Sequence, residues 1–540
     1  MKKLVLTLSI LLLALIVFSQ DPKVTFSQKL KVARGTDIRN ACRVGDKIFV
    51  IETDGLGTSK MNMSVYDASS MSLLSKRRFK DRSCKGDPNC IDNDFGYRRT
   101  LFFKNSMIMI FQSYDRTSDQ NCLFAQKLDN DGNFVGKLII IDKIPSKKRN
   151  NAGEFSIEVS EDSTKFLIIN QPPFDKKADA TMNFKVYNPQ LENLSSSKLA
   201  TDEKDKNSDV MDQLLGNDGK IYVLMKVELE KKQRKRGQSS FYYSVYTVDP
   251  TDQSVAEYQV VLPKKNIEDL AIKLDNDRNK VICTGFYSDL KSSEYTGKDI
   301  DGFFYMRVNV KTSEVEVSGT KPIDKKMVLE LKEKRKLKDG EGISKTFDIV
   351  KIINHLDGTV TLLAENRYLI ITRTTTTTAN GATTTTTTYH YYRKNIFVIK
   401  IDKDGGVNSF IDIPKYQYTV DDGGVYSSFL AMESDDRLLL IYNDHRDNVS
   451  AEVKTFKDCK RMPMLKKAVL VMVEVMPDGS YTKKILQDNV KTGSTFLPES
   501  GFRISNGTYV VPAVDNPGAV SCGCFMMFVK QALCLAKIEM

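Results

Sequence analysis

The chain has 540 residues, 41% of them hydrophobic and 28% charged, with a formal net charge of +11. That apolar fraction supplies a large packed core and excludes a disordered chain, which combines low hydrophobicity with high net charge. Histidine occurs only at 355, 390 and 445, too scattered for the usual histidine-based metal centre, and there is no tryptophan.

Lys2 and Lys3 open the chain ahead of a fifteen-residue apolar run from Leu4 to Phe18. A helix needs roughly 20 apolar residues to cross a bilayer, so this run is short for a span. A basic start, a short apolar core and a small residue after it mark a secretory signal peptide over residues 1–19, with cleavage near Ser19. The alternative is an uncleaved anchor. The next cysteine is Cys42, which leaves none at the new N-terminus for lipid attachment. The chain is therefore expected to be exported, to the periplasm or the extracellular space.

One pattern then recurs eight times. A short apolar strand follows a tight turn in DKIFVIE, NSMIMIFQ, STKFLIIN and DGKIYVLM, and again in RNKVICTG, DGTVTLLAE, DRLLLIYN and NGTYVVPAV. A second strand comes after most of these, as in SVYD, AQKLD, FKVYN, YTVD, MRVN and VIKID. Such self-similarity marks a stacked-repeat fold, and four-stranded units specify a β-propeller. Runs such as 438–442 and 221–225 are continuously apolar, as a strand covered on both faces must be. The expected architecture is all-β: one domain over 20–540, with about eight four-stranded blades and seven as the alternative.

Turns before the repeated strand carry Asp46, Asn105, Asp162, Asp218, Asp277, Asp357, Asp435 or Gly507. These aspartates read as turn formers, not metal ligands. The last unit reaches the chain end at Met540 before its outer strand. KVTFSQKLKV, from Lys23 to Val32, is a strand without a unit. It is expected to supply the missing strand and close the ring, removing two exposed edges. Pro512 lies inside the eighth repeated strand and cannot donate to the ladder. It calls for a bulge, or for a seven-bladed ring with an irregular tail.

Connections from the second to the third strand, and from one unit to the next, emerge on one face. They carry nearly all the insertions: 116–121, 172–180, 228–239, 289–301, 444–467 and 515–531. Long loops on a rigid scaffold are where binding resides. Four basic clusters sit among the insertions, at Lys147–Arg149 (+3), Lys231–Arg236 (+5), Asp324–Lys338 (+4) and Lys454–Lys467 (+5). Lys231, Lys232, Arg234, Lys235 and Arg236 are the densest. Such clusters steer an acidic partner; the plainer reading is that they keep an exported chain soluble.

Two insertions have structure of their own. Residues 324–340 read as a short helix, with Asp324 as N-cap and Met327, Val328 and Leu331 on one stripe. Residues 363–401 hold two threonine runs around Asn380-Gly381, which read as a long hairpin arm. A disordered, O-glycosylated tract is the rival reading.

The stretch AENRYLI, YHYYRKNIFVIKIDKDGG, IPKYQ, YSSF and LLLIYNDHRDN spans roughly residues 355–450. It resembles a family of uncharacterised exported bacterial propeller-like proteins. The resemblance implies export and the fold, and carries no activity.

Chemistry is thinly signalled. No serine or cysteine has an identifiable histidine base. The tryptophan-bearing repeats of quinoprotein dehydrogenases and the S-x-D-x-G-x-T-W turns of sialidases are absent. Carboxylates do recur where the repeated strand meets the long-loop face: Asp54, Asp115, Asp175, Asp289, Glu365, Asp444 and Asp515. Tyr114, Tyr287 and Tyr442 stand just before three of them. Around a ring they would line one funnel, able to hold a cation, a basic peptide or sugar hydroxyls. The bland reading is local turn bonding. Nine cysteines in an exported chain suggest some pairing. Cys84 pairs with Cys90 in this reading, and Cys459 with Cys522 or Cys524; soft-metal binding by Cys522 and Cys524 is the lesser alternative. Cys42, Cys122, Cys283 and Cys534 read as free thiols in apolar strands.

The sequence thus points to an exported, non-catalytic propeller with no cofactor. Its long-loop face is expected to bind a protein or polysaccharide at the cell envelope, acidic in character, and not a nucleic acid. The alternative is a carbohydrate-active or other hydrolase working at the carboxylate funnel.

Overall fold

Burial is most complete in the repeated strand of each unit. Ile48 to Ile51, Ile108 to Phe111, Phe166 to Ile169 and Leu439 to Tyr442 have essentially no exposed surface. A computed structural model of the chain describes residues 21–540 apart from 34–35, 54–59, 81–90, 92–93, 105, 236–238, 291–298, 333–341, 435–436, 451, 463 and 516–529. Among the described residues it contains eight antiparallel sheets of four or more strands, seven of them built by one stretch of the chain and the eighth by its two ends. The fold is a β-propeller.

The repeated strands are Lys47–Thr53, Ser106–Asp115, Phe166–Gln171, Ile221–Glu228, Lys280–Asp289, Val360–Thr377, Leu438–Asp444 and Thr508–Asp515, second from the inner edge in sheets one to eight. Each sheet shares an apolar cluster with the next. Phe49 and Phe79 of sheet one meet Met107 and Phe111 of sheet two, for example. Similar clusters continue around the chain to Leu439 and Met472 of sheet seven, which meet Tyr509 and Ala536 of sheet eight. The series returns to its start, because Val510 and Leu535 of sheet eight pack on Ile48 and Val50 of sheet one.

Sheet eight is made from both ends of the chain. Lys23–Phe26 pairs antiparallel with Glu539 to Ala536, and Leu30–Ala33 with Leu533 to Lys530. Between these segments Ser27 stands in for a ladder residue. Its backbone N–H donates to the Leu535 carbonyl at 2.8 Å, and its Oγ accepts the Leu535 N–H at 2.9 Å. The ring is closed as the orphan strand implied.

Pro512 needs neither of its expected remedies. It pairs in register with Leu535, and its carbonyl accepts the Leu497 N–H at 2.9 Å on the inner side. The inner strand is interrupted there, split into Ser494–Phe496 and Phe502–Ser505 by a short turn at Pro498–Ser500. The missing N–H of Pro512 faces that interruption, so no ladder bond is lost.

Val360–Thr377 and Thr383–Ile401 form a hairpin whose outer half is the threonine arm, closed by Thr378 N–H to the Ala382 carbonyl with Gly381 at φ +80°. Gln417–Val420 adds a third strand at its root. A helix, Lys325–Leu331, follows sheet five; Asp324 Oδ1 accepts the Lys326 N–H at 2.7 Å.

Two variants test closure. Removing Lys23–Val32 strips Val24, Leu30 and Val32 from the clusters beside sheet eight and is expected to cost on the order of 5 kcal/mol. Ser27→Ala leaves the Leu535 N–H buried and unpaired, a loss of about 1–3 kcal/mol. Denaturant unfolding measures both, and unchanged midpoints would refute the closure account.

Candidate functional site

Strand alternation puts the long insertions on one face, and their carboxylates are already engaged there. Asp115 is exposed, and its oxygens accept the Thr117 N–H at 2.8 Å and the Ser118 hydroxyl at 2.6 Å, which hold its carboxyl below the usual range. Tyr114 beside it donates to the Ser146 carbonyl at 2.7 Å. Asp175 accepts the Lys177 N–H at 2.9 Å. Asp289 pairs with Lys265 at 2.6 Å, whose ammonium lies 3.8 Å from the ring centre of buried Tyr287. Asp515 pairs with Lys29 at 2.8 Å. Asp54, Arg236, Cys84, Cys90, Cys522 and Cys524 lie outside the described residues.

The structure brings together three of the expected site residues, Glu365, Tyr442 and Asp444, but not at a funnel mouth. All three are fully buried between sheets six and seven. Lys415, equally buried, donates to Glu365 Oε1 at 2.5 Å and to Gln417 Oε1 at 2.7 Å. Glu365 Oε2 accepts the Ser428 hydroxyl at 2.7 Å. Gln417 in turn binds the Asn443 carbonyl at 2.7 Å and the Ser428 N–H at 2.8 Å. Burial pushes the Lys415 ammonium down, and the Glu365 carboxylate opposes that. The connection 414–429 folds under the strand ends and seals them from solvent. A strand-end position carries no signal of that.

Asp444 Oδ1 accepts the His445 N–H and the Asn448 side chain, both at 2.8 Å, while Oδ2 has no protein partner. Burial raises its carboxyl to about 6, with Lys483 and Lys415 pulling the other way. Cys459 has a free thiol, pushed up to about 12 by burial and drawn down by Lys483. Among the described residues the Cys459 thiol lies near Asp444 and Lys483; its expected partners, Cys522 and Cys524, lie outside them. Cys122, Cys283 and Cys534 are buried free thiols, and Cys42 is half-buried.

Above this buried network the two largest insertions meet. Tyr368, Tyr392 and Tyr418 stand directly opposite one another on three adjacent strands. Their ring centres are 4.7 and 4.9 Å apart. His390 Nδ1 lies 2.9 Å from the Tyr418 hydroxyl, and Arg461 lies 5.0 Å from the Tyr418 ring centre. Lys394 sits 4.3 Å over Phe456, which packs on Tyr416 at 5.1 Å. The loop from Arg446 to Lys467 is fixed to this patch by Met462 N–H to the Tyr416 carbonyl at 2.8 Å. The Glu365–Lys415 pair and Gln417 thus rivet the strand that carries Tyr416 and Tyr418.

Cations are the groups left open on this face. Lys231 and Lys235 are exposed without an ion pair among the described residues, as are Lys457, Lys466 and Lys467. Lys232 reaches Glu230 at 3.1 Å and Arg234 reaches Glu228 at 3.7 Å, both exposed pairs.

A second set of acids lies on the inner strands. Glu158, Asp212 and Asp269 occupy the inner edges of sheets three, four and five, and burial holds each above the usual carboxylate range. Arg99 lies 4.0 Å from Glu158. Farther round, Glu433 binds both Lys351 at 3.2 Å and Arg503 at 3.0 Å. These acids carry no signal in the sequence, because a charged residue in an alternating strand looks like a solvent-facing one.

No protein-family model matches the chain, and no curated protein does. Among solved structures it is similar to the Dos1 propeller, with a TM-score of 0.44 at 8% identity over 96% of this chain and 95% of that one. The β-propeller domain of the Trilobed protease from Pyrococcus furiosus gives 0.35 at 10% identity, over 85% and 97%. Prolyl oligopeptidase B from Galerina marginata gives 0.39 at 9% identity over 89% of this chain; the match spans only 56% of the oligopeptidase.

The buried network yields two expectations. A carboxyl raised from about 3.9 in the unfolded chain to about 6 favours the fold when protonated. Its contribution is complete below about pH 4 and lost as pH rises through about 6, on the order of 3 kcal/mol. Asp444→Asn should remove that dependence, so its stability relative to the parent rises across this window; a constant difference would contradict it. Lys415→Met should cost about 3–5 kcal/mol by stranding Glu365, and adding Glu365→Leu should recover most of the loss. Urea unfolding of the single and double variants decides.

Proposed function

We propose that this chain is an exported, non-catalytic propeller that holds an acidic macromolecular partner at the cell envelope through its long-insertion face. One observation carries the reading: among the described residues Asp115, Asp175, Asp289 and Asp515 are spent on turns and ion pairs, while Lys231, Lys235, Lys457, Lys466 and Lys467 stand exposed without an ion pair. An approaching polyanion meets positive charge without displacing an internal partner, and long-range attraction raises its rate of encounter. The tyrosines and Arg461 where the two largest insertions meet add contacts that are flat, partly apolar and cationic. The basic start and short apolar run of the sequence support export.

A hydrolytic reading belongs to the inner strands instead of the strand ends. On those strands the surroundings of Glu158, Asp212 and Asp269 favour the protonated form that a general acid requires.

Retention on an immobilised anionic polysaccharide tests the proposal. Reversing Lys457, Lys466 and Lys467 to glutamate should elute the chain at clearly lower salt, and reversing Lys231 and Lys235 should add to the shift. Retention should fall with ionic strength, since exposed charges are screened over about 8 Å at physiological salt. Unchanged elution of both variants would refute the assignment of this face. Turnover of a glycoside that Glu158→Gln or Asp212→Asn abolishes would favour hydrolysis.

A further inference from the structure

Among the described residues, the threonine arm leaves one strand edge without a pairing strand. Phe347–Asn354 pairs with the root of Val360–Thr377 only as far as Asn366. Beyond that point, among the described residues, the strand pairs only with Thr383–Ile401. The last bond on the outer side runs from Arg367 N–H to the Thr346 carbonyl at 2.7 Å. Backbone groups alternate in direction along an antiparallel strand. The N–H and C=O of Leu369, Ile371, Arg373, Thr375 and Thr377 therefore point outward with those of Arg367.

Among the described residues nothing in this run protects it. Natural edges are blunted by lysine, proline, bulges or a covering loop. Residues 367–377 read RYLIITRTTTT, and pairing is continuous from Arg367 opposite Arg393 to Thr377 opposite Thr383, without a bulge. Leu369, Ile370 and Ile371 expose 46%, 44% and 50% of their surface, with Ile370 on one face of the hairpin and the other two on the opposite face.

We propose that this edge pairs antiparallel with the same edge of a second copy of the chain, giving a four-stranded sheet across a two-fold axis. The sequence of the run is complementary to itself. With Thr372 on the axis the whole run is used: Arg367 falls opposite Thr377, Leu369 opposite Thr375 and Ile371 opposite Arg373. No arginine meets another, so like charges are kept apart across the strands. Threonine already faces threonine within the arm, where Thr375 and Thr385 hydroxyls lie 3.1 Å apart. Arg367 is satisfied by Asp348 at 2.5 Å, which leaves Arg373 as the one charge along the edge with no ion pair among the described residues. Such an edge offers little to select a charged segment and matches a neutral one like itself. A symmetric contact of this kind closes on itself instead of propagating.

Light scattering of the full chain over a range of concentrations tests this, with a dimer expected. Ile371→Lys places a charge on an exposed edge position, so it should leave the melting curve unchanged and weaken dimerisation by at least about tenfold. Thr372→Cys sits on the proposed axis and should cross-link to its own copy under mild oxidation beyond the level of the parent chain. Thr376→Cys should not, because Tyr368 would face it. A chain that stays monomeric to its solubility limit overturns the proposal. So does a dimer that tolerates Ile371→Lys, or cross-linking equal at 372 and 376.

Discussion

Everything in this structure depends on the antiparallel pairing between the two ends of the chain. Every sheet buries both faces against its neighbours, so an open ring would leave the outer faces of sheets one and eight in water. Lys23–Ala33 against Lys530–Glu539 prevents that. This pairing joins residues about 500 positions apart, of which Ser27 and Leu535, separated by 508, are one pair. Contacts of such separation form late and slow folding, since the loop must close before they reward it.

The insertions are themselves anchored from below. The Glu365–Lys415 pair has no solvent access, and its net stabilisation after desolvation is small. Its effect is on placement: Lys415 and Gln417 fix the segment that brings Tyr416 and Tyr418 beside the arm, and Asn448 fixes the loop that brings Arg461 over it. Polar groups that would otherwise meet a ligand are consumed in building the platform. Among the described residues Lys231, Lys235, Lys457, Lys466 and Lys467 remain outside these bonds.

Much of the fold was legible in the sequence for simple reasons. Strands covered on both faces read as unbroken apolar runs, and turns of Asp, Asn and Gly separate them. Closure was legible as arithmetic, because one strand lacked a unit and one unit lacked a strand. The candidate site was far less so. The position of Glu365 at a strand end says nothing of Lys415, fifty residues on, folding beneath it. Asp444 likewise read as a rim residue until the connection from sheet six sealed it. Pro512 read as a defect because the compensating break, at Pro498–Ser500, belongs to a different strand. The acids of the inner strands were invisible for another reason: a closed ring turns one edge of every sheet toward a common axis, and no local pattern distinguishes that edge from an exposed one.

Native-state hydrogen exchange on sheet eight tests ring closure most directly. If the chain ends lock the ring, the amides of Thr25, Ser27 and Leu535, which face the ladder, open only with the whole molecule. They should then show the same protection, and the same dependence on denaturant, as Ile110 or Val223 in distant sheets. Exchange of these end-strand amides by local opening, at low free energy while the other sheets stay protected, would show that the ring stands without its clasp and would contradict the account.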